Sequence, residues 1–235
     1  MTLGIDVSSL FAEMVKASRI DDIVSKKMIY HYLTANSKEN DQLVIMTINT
    51  FLSDCKSHNA KIWGLALRHL CQLRFDGVAN YTQTAIADGL DDIDPYVKKT
   101  AIIACIKMYK YSRKEFKETS FVDKLYELTN DIDPNVVINA INALNEVQES
   151  KGGIEVDSKL VISLLNRIRD FDEWGQSIIL ELVAKFQPTE KKLKFDIMNL
   201  LESRLKHASS SVLLGAVKVF LNLTQGDEFL TGEVY

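Results

Sequence analysis

The sequence predicts an all-α chain built as a stack of helix pairs, and three observations predict it. One phrase occurs twice: Asp131-Ile132-Asp133-Pro134-Asn135-Val136 repeats Asp92-Ile93-Asp94-Pro95-Tyr96-Val97 at a spacing of 39 residues, a period in the range of helical solenoid repeats. Each copy is also a helix start. Asp94 and Asp133 offer a side-chain oxygen to the free N–H groups of a first turn, while Pro95 and Pro134 have a helical φ already set and no N–H to leave unsatisfied. Finally, apolar residues recur at helical spacing from end to end, with only 3 prolines and 10 glycines to interrupt them.

In chain order, helices are expected over 6–18, 20–35 and 40–54 on apolar periodicity alone. Helix 59–74 opens behind Asn59, and its Ile62 and Ala66 reproduce the register of Val97 and Ala101; helix 77–90 is its bulkier partner. Helix 95–111 follows Asp94-Pro95 and carries Ala101 and Ala104. The polar stretch Tyr111-Ser112-Arg113-Lys114-Glu115 is expected to be a break before helix 119–130. Helix 134–150 follows Asp133-Pro134 with Ala140 and Ala143 in the same places, and Ser150-Lys151-Gly152-Gly153 reads as the loop before helix 157–170. Midway between Val136 and Val212 a disguised copy of the phrase is due. Asp170-Phe171-Asp172-Glu173-Trp174-Gly175 sits there without its proline and opens helix 173–186. Gln187-Pro188-Thr189-Glu190 separates it from helix 189–206, and Ser209, Ser210 and Ser211 introduce helix 209–224, with Val212 and Ala216 in register. The alanines fall on alternate helices, where a small side chain lets the neighbouring backbone approach. The class these features imply is a right-handed α-α superhelix of HEAT/armadillo-like repeats, about six helix pairs long. Residues 1–225 are expected to form one partial trunk and 226–235 a frayed tail. Neither the first nor the last helix is polar all round, so the trunk is expected to continue or to rest against another chain.

Composition narrows the function. With 46% apolar and 26% charged residues the chain can bury a core, and a formal charge of −4 gives no support for a nucleic-acid binder. Cys55, Cys71 and Cys105 each lie in an apolar helical pattern and read as buried, reduced thiols of a cytosolic protein. No signal peptide is evident at Met1–Asp6, and no stretch has the length and apolarity of a membrane span. The phosphate-loop, dinucleotide-binding, zinc-protease and nucleophile-elbow motifs are all missing from the sequence, so neither a catalytic residue nor a cofactor is expected. His31, His58, His69 and His207 are scattered and no C-x-x-C occurs, so no metal is expected either. Asp91, Asp92 and Asp94 resemble the start of a calcium loop. Counted from Asp91, however, the sixth and twelfth positions are Tyr96 and Ile102, where such a loop needs glycine and glutamate. Capping is the reading that remains.

Three surface features are candidates for use. The basic pairs Lys26-Lys27 and Lys98-Lys99, and Lys191-Lys192 with Lys194, can touch anionic lipid headgroups, although solvated helix faces are the ordinary role of such pairs. Lys98 and Lys99 stand in a first helical turn, where positive charge is mildly unfavourable, a hint of use. Ile45 and Ile48 make an apolar stripe suited either to the core or to a partner. Trp63 and Trp174, just inside helices of the same type, are expected to pack in the repeat interfaces.

With these residues in hand, the chain resembles the N-terminal trunk of beta adaptins, the large subunits of the heterotetrameric adaptor-protein complexes of vesicle coats. Asp6-Val7-Ser8-Ser9-Leu10-Phe11, Lys26-Lys27-Met28-Ile29-Tyr30, Ile48-Asn49-Thr50-Phe51 with Asp54-Cys55, Gly64-Leu65-Ala66-Leu67-Arg68, Asp94 to Ala101 and Trp174-Gly175-Gln176 carry the resemblance, in order, over nearly the whole chain. Within the family, Phe11 to Ser18, Cys71-Gln72-Leu73-Arg74, Leu164-Leu165-Asn166-Arg167 and Phe195 to Leu201 point to the beta subunits of the fourth adaptor complex. The resemblance implies a non-enzymatic scaffold for coat assembly and cargo sorting, peripheral on trans-Golgi or endosomal membranes. It implies as partners a sigma subunit, a medium subunit, the second large subunit and an Arf-type small GTPase. By position it matches Ile45 and Ile48 to apolar residues that the family offers to the GTPase. A rival of another class is a nuclear-transport-type solenoid that binds extended peptides. Such a groove is lined by regularly spaced Trp and Asn, and this sequence has only Trp63 and Trp174.

Overall fold

The computed structural model describes residues 7–37, 41–73 and 78–225. The start of the first helix at residue 6 and the tail expected over 226–235 lie outside the described residues. Among the described residues the regular structure is entirely helical. Its α-helices are α1 Phe11–Ala17, α2 Ile23–Ala35, α3 Asp41–Asp54, α4 Ala60–Leu70, α5 Val78–Leu90, α6 Pro95–Tyr111, α7 Arg113–Lys117, α8 Phe121–Leu128, α9 Pro134–Val147, α10 Ser158–Asn166, α11 Glu173–Lys185, α12 Lys191–Leu201 and α13 Ser210–Thr224. One expectation is corrected: the polar stretch after Tyr111 is not a plain break, because Arg113–Lys117 forms a short helix that buries Phe116 against Tyr109 and Phe121.

The repeated phrase folds as a double aspartate turn. Asp92 accepts a hydrogen bond from the Asp94 N–H (2.7 Å) and Asp94 in turn accepts from Tyr96 N–H (2.8 Å). In the second copy Asp131 accepts from Asp133 N–H (2.9 Å), and Asp133 accepts from Asn135 and Val136 N–H (2.9 and 3.1 Å). The outer aspartate fixes the turn, the inner one caps the helix, and the proline occupies the first helical position. N-cap residues of this helix type stand at Asn59, Asp94, Asp133, Asp172 and Ser209, that is, 35, 39, 39 and 37 residues apart.

By packing, the chain divides into two compact units, with the boundary after Leu125, inside α8. In the first unit α4 packs on α6, α3 and α2, and α5 on α6. In the second, α9 packs on α11, α11 on α13 and α10 on α12. Helices two elements apart therefore lie side by side, which is what stacked pairs produce. Small residues set the spacing. Ala66, Ala101, Ala140 and Ala216 are fully buried at matching positions. A methyl group added at Gly64 would stand 2.4 Å from the Tyr96 ring of α6, and one at Gly215 2.9 Å from Leu180 Cβ of α11. At these two points a side chain could enter only by displacing Tyr96 or Leu180 of the neighbouring helix.

Candidate docking surface

Four of the sequence candidates lie on α2 and α3: Lys26 and Lys27 on the first, Ile45 and Ile48 on the second. Val44, Ile48, Phe51 and Cys55 form the buried stripe of α3 and the residue after it, spaced at successive helical turns. Ile48 is 1% exposed, whereas Ile45 is 50% exposed. The expected stripe of Ile45 with Ile48 is thus split. Three residues correspond to a 60° offset around the helix, enough here to carry Ile48 into the core and leave Ile45 at the surface. The residue exposed beside Ile45 is Met46, which sequence reasoning did not select. Met46 and Asn49 line a groove of about 480 Å³ with Val15, Lys16 and Arg19. On α2, Val24 and Met28 also face outward, one turn apart and flanked by exposed Lys27 and His31. The i, i+4 spacing of Val24 and Met28 was a signal available in the sequence.

The basic candidates divide as well. Lys26 is corrected from a lipid contact to a core residue: it is 4% exposed, and its ammonium lies 2.6 Å from Asp54 Oδ2 and over the Tyr30 ring. The Tyr30 hydroxyl donates to the same carboxylate oxygen. Burial, with the Asp54 carboxylate beside it, holds the Tyr30 hydroxyl far above the usual phenol range. Lys27 is exposed, and Lys98 and Lys99 are half-buried in the first turn of α6. Asp94, Pro95, Asp133 and Pro134 occupy the capping positions described above.

Next to this trio lies His69, buried on α4 with its ring edge-on to Tyr30 at 5.8 Å and 6.3 Å from Phe51. Its Nδ1 has no hydrogen-bond partner. Burial, reinforced by the positive charges of His31 and Arg68, pulls its pKa down to about 4. The unfolded chain takes up a proton near pH 6.5, and the folded chain refuses it until about pH 4. Stability therefore falls as pH drops through that window, by up to about 3 kcal/mol. Thermal melts taken from pH 7 to pH 4 should show the fall, and His69→Phe should flatten it. Equal slopes in both proteins would show that His69 does not carry it.

The thiols sit in surroundings that disfavour the thiolate. Cys55 and Cys105 are buried, Cys71 is half-buried, and all three are free. Burial pushes Cys55 and Cys71 up to about 12, and Cys105 upward as well. Among the described residues no group of three His, Cys, Asp or Glu side chains is placed to hold a metal, and no helix is long and apolar enough to cross a membrane.

The tryptophans part company. Trp63 is buried against Gly89, where a Cβ would come within 2.4 Å of its ring. Trp174, expected in a repeat interface, is instead 78% exposed. It stands at the second position of α11, on the side that continues to Ile178 and Glu181, while Gly175, Gln176, Ile179 and Leu180 turn inward. A single exposed tryptophan does not make the ladder that a peptide-binding groove requires.

Known proteins are similar to this chain in sequence and in fold. The model of the adaptin N-terminal region matches residues 1–231. The chain belongs to the adaptin family. This adaptin region is 40% identical to mouse AP-4 complex subunit beta-1 over 96% of its length, 37% to the AP-4 complex subunit beta of Dictyostelium discoideum over all of it, and 42% to Beta-adaptin-like protein A of Arabidopsis thaliana, also over all of it. It spans 30%, 28% and 29% of those relatives. Among solved structures it is similar to a homology model of the full-length AP-3 complex in an intermediate open conformation, with a TM-score of 0.54 at 14% identity over 99% of this chain and 54% of that one. It is equally similar to an engineered protein (TM-score 0.54, 17% identity, 94% and 100% covered). The structural likenesses show the fold.

Proposed function

We propose that this adaptin region is the scaffold portion of a beta-type adaptor-complex subunit. In this reading residues 1–225 continue as one series of repeats, and the work is positional rather than enzymatic. The region holds a sigma subunit, a medium subunit and the second large subunit for cargo sorting in intracellular protein transport, on the cytosolic face of trans-Golgi or endosomal membranes. The observation that carries it is the 40% identity to an AP-4 beta subunit across 96% of the chain. Exposed apolar side chains on α2 and α3 support it, because Val24, Met28, Ile45 and Met46 each leave half or more of their surface in solvent. Ile45 and Met46, beside the groove that Lys16 and Arg19 line, are the candidate contact for an Arf-type GTPase. Lys27, with Lys98 and Lys99, remains the candidate contact for anionic lipid.

Co-expression with sigma, medium and second large adaptor subunits should give a complex that co-purifies through size exclusion. Recovery of the chain alone in every combination counts against the scaffold reading. Within such a complex, Ile45→Asp should weaken binding of GTP-loaded Arf by at least about tenfold, the loss expected of a central apolar contact. Unchanged binding would remove Ile45 from that interface.

A further inference from the structure

One apolar surface in the second unit lies outside both the core and the α2–α3 surface. Trp174 is 78% exposed at the start of α11, and Ile132 is 91% exposed in the turn before α9, the helix that packs beside α11. The two stand at the same end of neighbouring layers. Their backbones are held from several directions. Asp172 caps Gly175 N–H at 2.7 Å, Gln176 donates to Phe171 O at 2.9 Å and accepts from Arg204 at 3.1 Å, and Ser177 donates to Glu173 O at 2.9 Å. Arg167 donates to the carbonyls of Asp131 and Ile132, both at 2.7 Å. A Cβ at Gly175 would stand 3.1 Å from Asp172 Oδ1 and 3.2 Å from Ile138 of α9, so glycine fits this contact without any shift of its neighbours. Asp131, Asp133, Asp170 and Asp172 are engaged in caps or an ion pair, whereas the indole and the isoleucine side chain stand in solvent.

Charge decides what such an edge can receive. From Asp170 to Glu173 every residue except Phe171 is acidic and exposed, and Ile132 lies between Asp131 and Asp133. Arg167 lies against Asp170 and two backbone carbonyls, Arg204 against Gln176, and Arg169 is exposed; the five carboxylates of Asp131, Asp133, Asp170, Asp172 and Glu173 outnumber these three arginines, so the edge stays net acidic. A second copy would bring acidic edge to acidic edge, and an anionic membrane would be repelled in the same way. We infer that the Trp174–Ile132 edge docks a partner segment that pairs an apolar or aromatic anchor with lysine or arginine. Trp174 is the central contact, because an indole has only two side-chain torsions to fix and supplies a large contact area from a backbone already held in place.

The inference stands apart from the adaptor reading, and its test uses the 235-residue chain alone, so failure here leaves co-purification with adaptor subunits untouched. A displayed library of random dodecapeptides is selected on the chain, and enriched peptides are labelled and titrated by anisotropy against wild type, Trp174→Ala and Ile132→Ser. The expected result is enrichment of peptides combining basic with apolar residues, binding that weakens with salt, and an affinity loss of at least about tenfold in Trp174→Ala. The melting temperature of that variant should match wild type. Failure to enrich any peptide, enrichment of acidic or uncharged peptides, or affinity indifferent to Trp174→Ala overturns the proposal. So does a dimer in sedimentation that Trp174→Ala dissolves, which would make a second copy the occupant. A melting temperature lowered by several degrees would assign the indole to the fold instead.

Discussion

Asp54→Ala is expected to cost about 3 kcal/mol, a drop in melting temperature on the order of 10 °C. The carboxylate stands at the last residue of α3, where one oxygen receives both the Lys26 ammonium and the Tyr30 hydroxyl from α2. Lys26 is buried, so removing Asp54 leaves a positive charge without water and without a counter-charge. The lower end of the range usual for broken buried pairs applies, because the Asp54 side chain keeps 22% exposure and water can reach part of the gap. The double variant Lys26→Met with Asp54→Ala should recover much of the loss, since an apolar chain of similar length then fills the site beside the Tyr30 ring. A double-mutant cycle by chemical denaturation measures the coupling. A single variant within about 0.5 kcal/mol of wild type would show that the pair is solvated and only decorates the surface.

That pair also marks where the sequence stops being legible. Capping is local chemistry, so Asp94 and Asp133 could be read directly, and with them the register that buries Val97, Val136, Ala101 and Ala140. The disguised copy was legible for the same reason. Asp172 still caps although the proline is gone, Gly175 replaces the valine, and Ile179 fills the buried slot that alanine holds elsewhere. Lys26 was not legible, because a lysine's partner lies 28 residues away and nothing local announces Asp54. Trp174 was misread by weighing residue type above position. Hydrophobicity argues for burial, but Gly175, Gln176, Ile179, Leu180 and Val183 already complete the inner face of α11. The residue before Gly175 falls outside that face. The short helix α7 escaped notice because its one buried residue, Phe116, is too little to make a period.

The same positional logic separates the two isoleucines of α3 in the second large effect. Ile48→Asp should abolish the cooperative melt of the first unit, whereas Ile45→Asp should stay within about 0.5 kcal/mol of wild type, as surface substitutions usually do. At position 48 the change deletes a fully buried side chain from a row shared with Val44 and Phe51, and it places a carboxylate in their midst. Loss of the apolar contacts alone costs roughly 2–5 kcal/mol, and an unpaired polar group buried in its place adds more. Together these approach the whole stability of an ordinary domain. Ile48→Val is the control, expected to cost about 1 kcal/mol and to keep a sharp transition. Circular dichroism against temperature for the three variants settles the matter. If Ile45→Asp melts as early as Ile48→Asp, Ile45 belongs to the core, and loss of GTPase binding in that variant reports unfolding. If both melt with wild type, Ile48 is not a core residue and returns as a contact residue.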